Sequence, residues 1–194
     1  MKTGRMEAFS DGVLAIIITI MVLELSVPHE TTWRALLPVI PIFLSYVLSF
    51  IYIGIYWNNH HHMLNATKNV TGGILWANLH LLFWLSLFPF ATGWMGENNF
   101  ATIPTAFYGI VLLGAAFAYL LLQNAIICAE GEKSDLKRAV GRDLKGKISV
   151  GCYILGIAGS FVNNWLGVFF YTVVAIIWLV PDKRIERLVR TDGD

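Results

Sequence analysis

Long apolar segments without charged side chains constrain this chain more than any other feature of its sequence. The segments Leu36–Trp57 and Ile74–Met95 contain no charged residue, and Ile148–Val180 continues for 33 residues without one. Such a segment of about 20 residues is long enough to cross the hydrocarbon core of a bilayer as a helix. Charged residues make up only 14% of the 194 residues, against about 25% in a typical soluble domain. The sequence therefore predicts an all-α integral membrane protein.

Hydropathy divides the chain into six predicted spans that form one domain covering residues 1–194. The uncharged segment that begins at Ile148 is too long for one span, and Asn163-Asn164-Trp165 interrupts it at its middle. We expect a tight turn there, with Trp165 at the membrane interface, between two short helices. The approximate spans are 8–27, 36–57, 74–95, 104–128, 148–162 and 166–180.

The positive charges predict the orientation of these spans. With six spans, 13 of the 14 lysine and arginine residues lie on one side of the membrane, and Arg34 alone lies on the other. Positive residues accumulate on the cytoplasmic side, so both termini are predicted to be cytoplasmic. We expect the basic loop 129–147 and the basic tail 181–190 to lie near anionic headgroups.

Several classes of function are not supported by the sequence. The net charge of +1 and the lack of a basic stripe argue against a nucleic-acid partner. Residues 141–147 resemble a phosphate loop, but Ile148 stands where Ser or Thr must hold magnesium. No catalytic constellation or carbonyl selectivity filter is recognisable, and we expect no enzyme activity, metal or cofactor. The thiols Cys128 and Cys152 are expected to be reduced.

The polar residues near the first span leave two interpretations open. Asp11 lies inside a membrane segment, where an unpaired carboxylate is costly, so we expect it to contact another helix. Candidate partners are His60 or His61 of the second span and Asn78 or His80 of the third. An acid paired with a histidine could be a proton relay or a structural clamp. Consecutive helical residues point about 100° apart, so His60, His61 and His62 are not expected to converge on a metal.

The first span also carries an apolar stripe on one helical face. At 100° per residue, Ile16, Thr19, Ile20 and Leu23 fall on one side, whereas Asp11 lies about 140° from the centre of that stripe. In an ordinary helical bundle such a stripe faces lipid or the protein core, and the pattern alone favours that interpretation.

Three segments in the first three spans carry distinctive motifs. The first is Arg5-Met-Glu-Ala-Phe9-Ser10-Asp11, in which Arg is followed by three residues and Phe-Ser-Asp. The second is Tyr56-Trp57-Asn-Asn-His60-His61, and the third runs from Asn78-Leu-His80 to Pro89-Phe90. The first motif matches the signature of the lysosomal potassium channel family, and all three segments resemble that family in its bacterial branch.

This resemblance implies a six-helix subunit in a homotetramer whose central pore is lined by the first helix. It implies a K⁺-permeable leak channel of the bacterial cell membrane, with a hydrophobic ring in place of a carbonyl filter. By position, Ile16 would form that ring, and Thr19, Ile20 and Leu23 would line the pore. The signature residues would join the second and third helices in one network of Arg5, Phe9, Ser10, Asp11, Trp57, Asn78 and His80. The alternatives are a proton channel or proton-coupled transporter that uses Asp11 and the membrane histidines, and a non-conducting scaffold.

Overall fold

The secondary structure of the chain is helical in the computed structural model, which describes residues 3–67, 69–131, 134–140 and 143–179. A 3₁₀ helix at Trp33–Val39 precedes the second long helix. The α-helices are α1 Gly4–Leu23, α2 Ile40–Asn65, α3 Gly72–Ser86, α4 Phe88–Glu97, α5 Thr102–Glu130, α6 Asp135–Val140, α7 Leu144–Ser160 and α8 Asn164–Leu179.

The third predicted span, 74–95, is interrupted in the structure. Helix α3 ends at Ser86 and α4 begins at Phe88, with Pro89 in its first turn. Proline has no N–H to donate and its ring crowds the carbonyl four residues earlier, so a continuous hydrogen-bond ladder cannot pass this point. The Ser86 hydroxyl donates instead to the Phe83 carbonyl at 2.7 Å. The two helices together still form one long apolar segment.

Four helical segments of the described chain are long and apolar enough to cross a membrane. They are Gly4–Leu23, Trp33–Asn65, Gly72–Glu97 and Thr102–Glu130. The helices in the last two predicted spans are shorter, because α7 has 17 residues and α8 has 16. They are separated by residues 161–163, whose centre lies two positions before the predicted centre of the turn.

Helix α5 is the centre of the packing. It contacts α3, α4, α7 and α8, and its buried face includes Tyr108, Leu112, Ala115 and Leu122. Helix α1 packs on the other side of the bundle, against α2, α3 and α4. One face of α1 therefore belongs to the subunit core and its opposite face does not.

Some predictions fall on parts of the chain that the structure does not describe. The basic tail 181–190 lies outside the described residues, as do Val180, Lys68 and parts of the basic loop 129–147. Both cysteines are described and carry free thiols.

Candidate functional site

The two faces of α1 differ sharply in exposure. Ile16 is 60% exposed and Leu23 is 76% exposed, and Thr19 and Ile20 are exposed beside them. The opposite face is buried in the subunit through Met6, Ser10, Leu14, Ile17 and Met21. The stripe predicted from the helical angles thus lies on the side of α1 that its own subunit leaves uncovered. We call Ile16, Thr19, Ile20 and Leu23 the α1 stripe.

Thr19 is the hydroxyl-bearing residue of the α1 stripe. Its Oγ1 donates a hydrogen bond to the Ala15 carbonyl at 2.9 Å. The hydroxyl proton is therefore used within the helix, and the oxygen lone pairs remain able to accept water or contact a cation. The stripe combines branched apolar side chains with one hydroxyl group per chain.

A directed chain of hydrogen bonds joins α2, α3 and α1 on the buried side. His60 Nε2 lies 2.7 Å from Asn78 Oδ1, Asn78 Nδ2 donates to Ser10 Oγ at 3.0 Å, and Ser10 Oγ donates to the Met6 carbonyl at 2.9 Å. Because the amide oxygen of Asn78 can only accept, Nε2 of His60 carries the hydrogen. All three polar side chains are buried, so each bond replaces a hydrogen bond to water. This chain fixes the position of α1 against its neighbours.

Asp11 and Glu7 make a second connection between α1 and α2. Trp57 Nε1 donates to Asp11 Oδ1 at 3.0 Å, and His61 Nδ1 lies 2.8 Å from Glu7 Oε1. The rings of Trp57 and His61 stack, with centroids 6.2 Å apart and an interplanar angle of 20°.

The hydrogen-bond partner of Asp11 differs from the sequence expectation. We expected His60, His61, Asn78 or His80, but the bond is made by Trp57, and Asp11 is only half-buried. The indole N–H of Trp57, on α2, satisfies one oxygen of this carboxylate. The histidines and Asn78 are occupied elsewhere.

Three residues of the expected network lie apart from it within one chain. Arg5 and Phe9 are exposed on α1, and Phe9 continues the α1 stripe about two turns before Ile16. His80 is exposed on α3, where it accepts a hydrogen bond of 3.1 Å from Trp84 Nε1 of its own helix. The residues that the structure brings together are Ser10, Asp11, Trp57 and Asn78, with His60, His61 and Glu7 added.

The consecutive histidines do not share a ligand position. His60 turns towards Asn78 and His61 towards Glu7, as the 100° step between neighbours requires. Within the described ranges, no group of three His, Cys, Asp or Glu side chains is arranged to hold a metal ion.

Sequence reasoning missed a third set of contacts deeper along α1. Ser49 Oγ lies 2.7 Å from Thr92 Oγ1 and 2.9 Å from the Tyr108 hydroxyl, and Thr92 Oγ1 contacts Met21 Sδ at 3.9 Å. Isolated Ser and Thr residues in apolar segments carry no periodic signal. Their pairing depends on how α2, α4 and α5 pack.

The far end of α1 carries an unusual carboxylate. Glu24 follows the last residue of the helix and leans over Gly93 of α4, and its Oε2 is buried with no hydrogen bond to a described residue. Burial, and secondarily the negative charge of Glu97, raise the pKa of Glu24 above its usual value. The end of α1 that carries Leu23 is thus next to a carboxyl group whose pKa is raised by its surroundings.

Comparisons with known proteins agree on the family. A sequence model described as "Endosomal/lysosomal potassium channel TMEM175" matches residues 5–89. A potassium channel of Chryseobacterium sp. (strain P1-3) is 58% identical over 190 residues, which cover 98% of this chain and 99% of that protein. A potassium channel of Chamaesiphon minutus is 31% identical over 187 residues, covering 90% and 92% of the two chains.

A solved structure supports the same relationship. It is the crystal structure of a lysosomal potassium-selective channel TMEM175 homolog from Chamaesiphon minutus, with a TM-score of 0.78 and 28% identity. The match covers 93% of this chain and 97% of that chain. The resemblance inferred from the sequence is confirmed, and the all-helical membrane fold agrees with it. This chain therefore belongs to the TMEM175 family of potassium channels.

Proposed function

We propose that this protein is a K⁺-permeable leak channel that prefers K⁺ to Na⁺, and that the α1 stripe lines its pore. The observation that carries the proposal is the exposure of Ile16, Ile20 and Leu23 on the face of α1 that its own subunit leaves uncovered. The Chamaesiphon minutus homolog is described as potassium-selective, which supports the ion preference. The channel needs no cofactor, and its permeant ion is K⁺.

The proposed assembly is a homotetramer with α1 of each subunit around the axis. A stripe on one helix encloses a path only when copies of it face each other, and cyclic symmetry achieves this with one type of interface. Four Ile16 side chains then form a ring that closes the path unless the ring is wetted or widened. Discrimination by such a ring depends on the cost of removing water from the ion, which is lower for K⁺ than for Na⁺.

In this proposal each chain is a single six-helix domain that crosses the bacterial cell membrane with both termini in the cytoplasm. Helices α7 and α8 have lengths of about 25 Å at 1.5 Å per residue, somewhat less than the usual hydrocarbon thickness. Packing against α5 supports their inclusion as spans, because a short helix can be accommodated within an assembly. Six crossings also place the basic segments on one side.

The contacts of Asp11 do not favour the proton alternative. That alternative uses Asp11 together with the membrane histidines, but Asp11 accepts its hydrogen bond from Trp57. His60 and His80 are bonded to Asn78 and Trp84. We therefore carry forward the channel and assign Asp11 to the positioning of α1.

Substitution of Ile16 tests the pore proposal. Ile16→Asn puts an amide into the ring, and we expect a higher K⁺ flux into liposomes and a weaker preference over Na⁺. The matched control is Ile176→Asn, because Ile176 is 58% exposed but lies on α8. Equal fluxes for wild type, Ile16→Asn and Ile176→Asn would contradict the assignment of the ring.

A further inference from the structure

The carboxyl group of Glu24 occupies a space that a glycine of α4 leaves open. Gly93 is buried in α4 and has no side chain. Glu24 Oε2 lies 2.5 Å, and Glu24 Cδ 3.3 Å, from the position that a Cβ on Gly93 would take. We call this space the Gly93 notch. The carboxyl group is therefore held against α4 by a residue that could not accept it with a larger side chain.

The Gly93 notch suits a neutral carboxyl group better than a charged one. Glu24 Oε2 is buried there and has no hydrogen bond to a described residue. A charged oxygen without water or a donor costs far more free energy than a neutral one. Burial, and secondarily the charge of Glu97, accordingly raise the pKa of Glu24. Once ionised, the flexible side chain gains free energy by turning out of the notch into water.

The surroundings of Glu24 contain one charged group that acts on it. Glu97 is the titratable residue of α4, whose ten residues are all described, and it lies one turn after Gly93. Three groups of the segment after α1 are exposed to solvent: His29, Glu30 and Arg34. The nearby half of α2 carries the phenols Tyr46 and Tyr52, and the end of α3 at Ser86 carries no titratable residue. The two acids thus dominate the field at this end of α1.

Glu24 directly follows the α1 stripe. Leu23 is the last residue of that stripe and is 76% exposed. In the proposed assembly this end of α1 lies on the outer side of the membrane, because both termini are cytoplasmic. Four copies of Glu24 then surround the outer mouth of the pore.

We propose that Glu24 is a proton-dependent switch that sets the K⁺ conductance at the outer mouth, an inference that rests on the proposed function. Protonated Glu24 occupies the Gly93 notch. When its proton passes to the outer solution, the carboxylate leaves the notch and adds one negative charge per subunit to the mouth. Negative charge around a pore raises the local cation concentration. The K⁺ conductance therefore increases as the outer pH rises.

Conductance of the purified protein in phosphatidylcholine bilayers tests the switch, measured from about pH 4 to about pH 8. At about 10 mM K⁺, where the Debye length is about 30 Å, we expect about twofold higher conductance at the upper end of this range. At about 1 M K⁺ the Debye length is about 3 Å, and the ratio should fall close to one. A pH response of equal size at both K⁺ concentrations would overturn the electrostatic effect.

Glu24→Gln assigns the response to this side chain. Glutamine resembles the protonated acid in shape and stays neutral, so we expect the low conductance at every pH. The matched control is Glu30→Gln, which removes an exposed acid from the segment after α1 and should keep the pH response. Equal pH responses in wild type and Glu24→Gln would overturn the proposal.

Gly93→Ala tests the notch itself. The added Cβ displaces the end of a flexible side chain, so the helix can remain in place while the carboxyl group moves out. We expect the pH response to shift to lower pH, towards that of a hydrated carboxyl group. Gly54→Ala is the control, because its Cβ meets nothing within 4 Å. An unchanged pH response in Gly93→Ala would contradict the role of the notch.

Infrared spectra separate failure of the switch from failure of the proposed channel. The C=O band of a protonated carboxyl group should disappear from the wild type as the pH rises, at lower pH in Gly93→Ala, and be missing in Glu24→Gln. A wild-type spectrum without a band that depends on Glu24 would overturn the switch even if K⁺ current is present. Absence of K⁺ current at every pH, with that band present, would instead contradict the proposed function and the effect on conductance.

Discussion

Asn78 of α3 donates a hydrogen bond of 3.0 Å to the hydroxyl of Ser10 on α1. The same amide accepts from His60 of α2, so one side chain holds three helices in a fixed relation. The buried face of α1 is thereby fixed, and its opposite face carries the stripe that we assign to the pore.

Replacing Asn78 should therefore loosen α1. Asn78→Ala leaves both His60 and Ser10 buried without their partner, and we expect a loss of about 1–3 kcal/mol in the free energy of unfolding. The measurement is thermal unfolding in detergent. Asn69→Ala is the control, because Asn69 is exposed in the loop before α3. Similar unfolding temperatures for the two variants would show that Asn78 is not a structural link.

Asp11→Asn distinguishes positioning from proton transfer. The asparagine oxygen can still accept from Trp57 Nε1, which bonds to Asp11 at 3.0 Å in the structure. We expect K⁺ flux within about twofold of wild type, because only part of one charge-assisted bond is lost. Trp57→Phe removes the donor and should reduce flux or stability more. Loss of pH-dependent flux in Asp11→Asn, with assembly intact, would revive the proton alternative.

Alanine substitutions at two glycines of α7 should change the stability of the protein in opposite directions. A Cβ at Gly156 would overlap the buried ring of Tyr171, whereas a Cβ at Gly151 meets nothing within 4 Å. We expect Gly156→Ala to destabilise the protein by about 1–3 kcal/mol through overpacking. Gly151→Ala should stabilise it by up to about 1 kcal/mol through helix propensity. Unfolding temperatures of the pair, measured together, check the packing of α7 on α8.

The raised pKa of Glu24 predicts that this carboxyl group lowers the stability of the folded protein at high pH but not at low pH. Burial and the Glu97 charge raise the pKa of Glu24, so the folded protein favours the protonated acid. The stabilising contribution is complete below the unfolded pKa and is lost as the pH rises through the higher folded pKa. At pH values above the folded pKa of Glu24, Glu24→Gln should thus raise the unfolding temperature. At pH values below the unfolded pKa it should change the unfolding temperature little. An equal pH profile in wild type and Glu24→Gln would contradict this assignment.

Periodicity in the sequence predicted the helices better than their interruptions. The angular pattern placed Ile16 and Leu23 on one face of the first helix, and the structure leaves that face exposed. The break after Ser86 was missed, although Pro89 gives a local signal for it. Helix α6 was missed as well, because six residues are too few for a periodic signal.

The contacts between helices were less accessible to sequence reasoning. Depth in the membrane restricted the candidate partners of Asp11 to His60, His61, Asn78 and His80, whereas the structure pairs Asp11 with Trp57. Which donor reaches Asp11 depends on the rotation of α2 about its axis, and that rotation follows from packing. The small cavity lined by Tyr52, Tyr119 and Trp178 likewise depends on the joint arrangement of α2, α5, α7 and α8.

The most direct test of the central claim is the reversal potential of the purified protein in a planar bilayer, with K⁺ on one side and Na⁺ on the other. The account predicts a shift towards the K⁺ equilibrium potential, reduced in Ile16→Asn. A reversal potential near zero, or current that follows an imposed proton gradient instead, would contradict a K⁺-preferring pore lined by the α1 stripe.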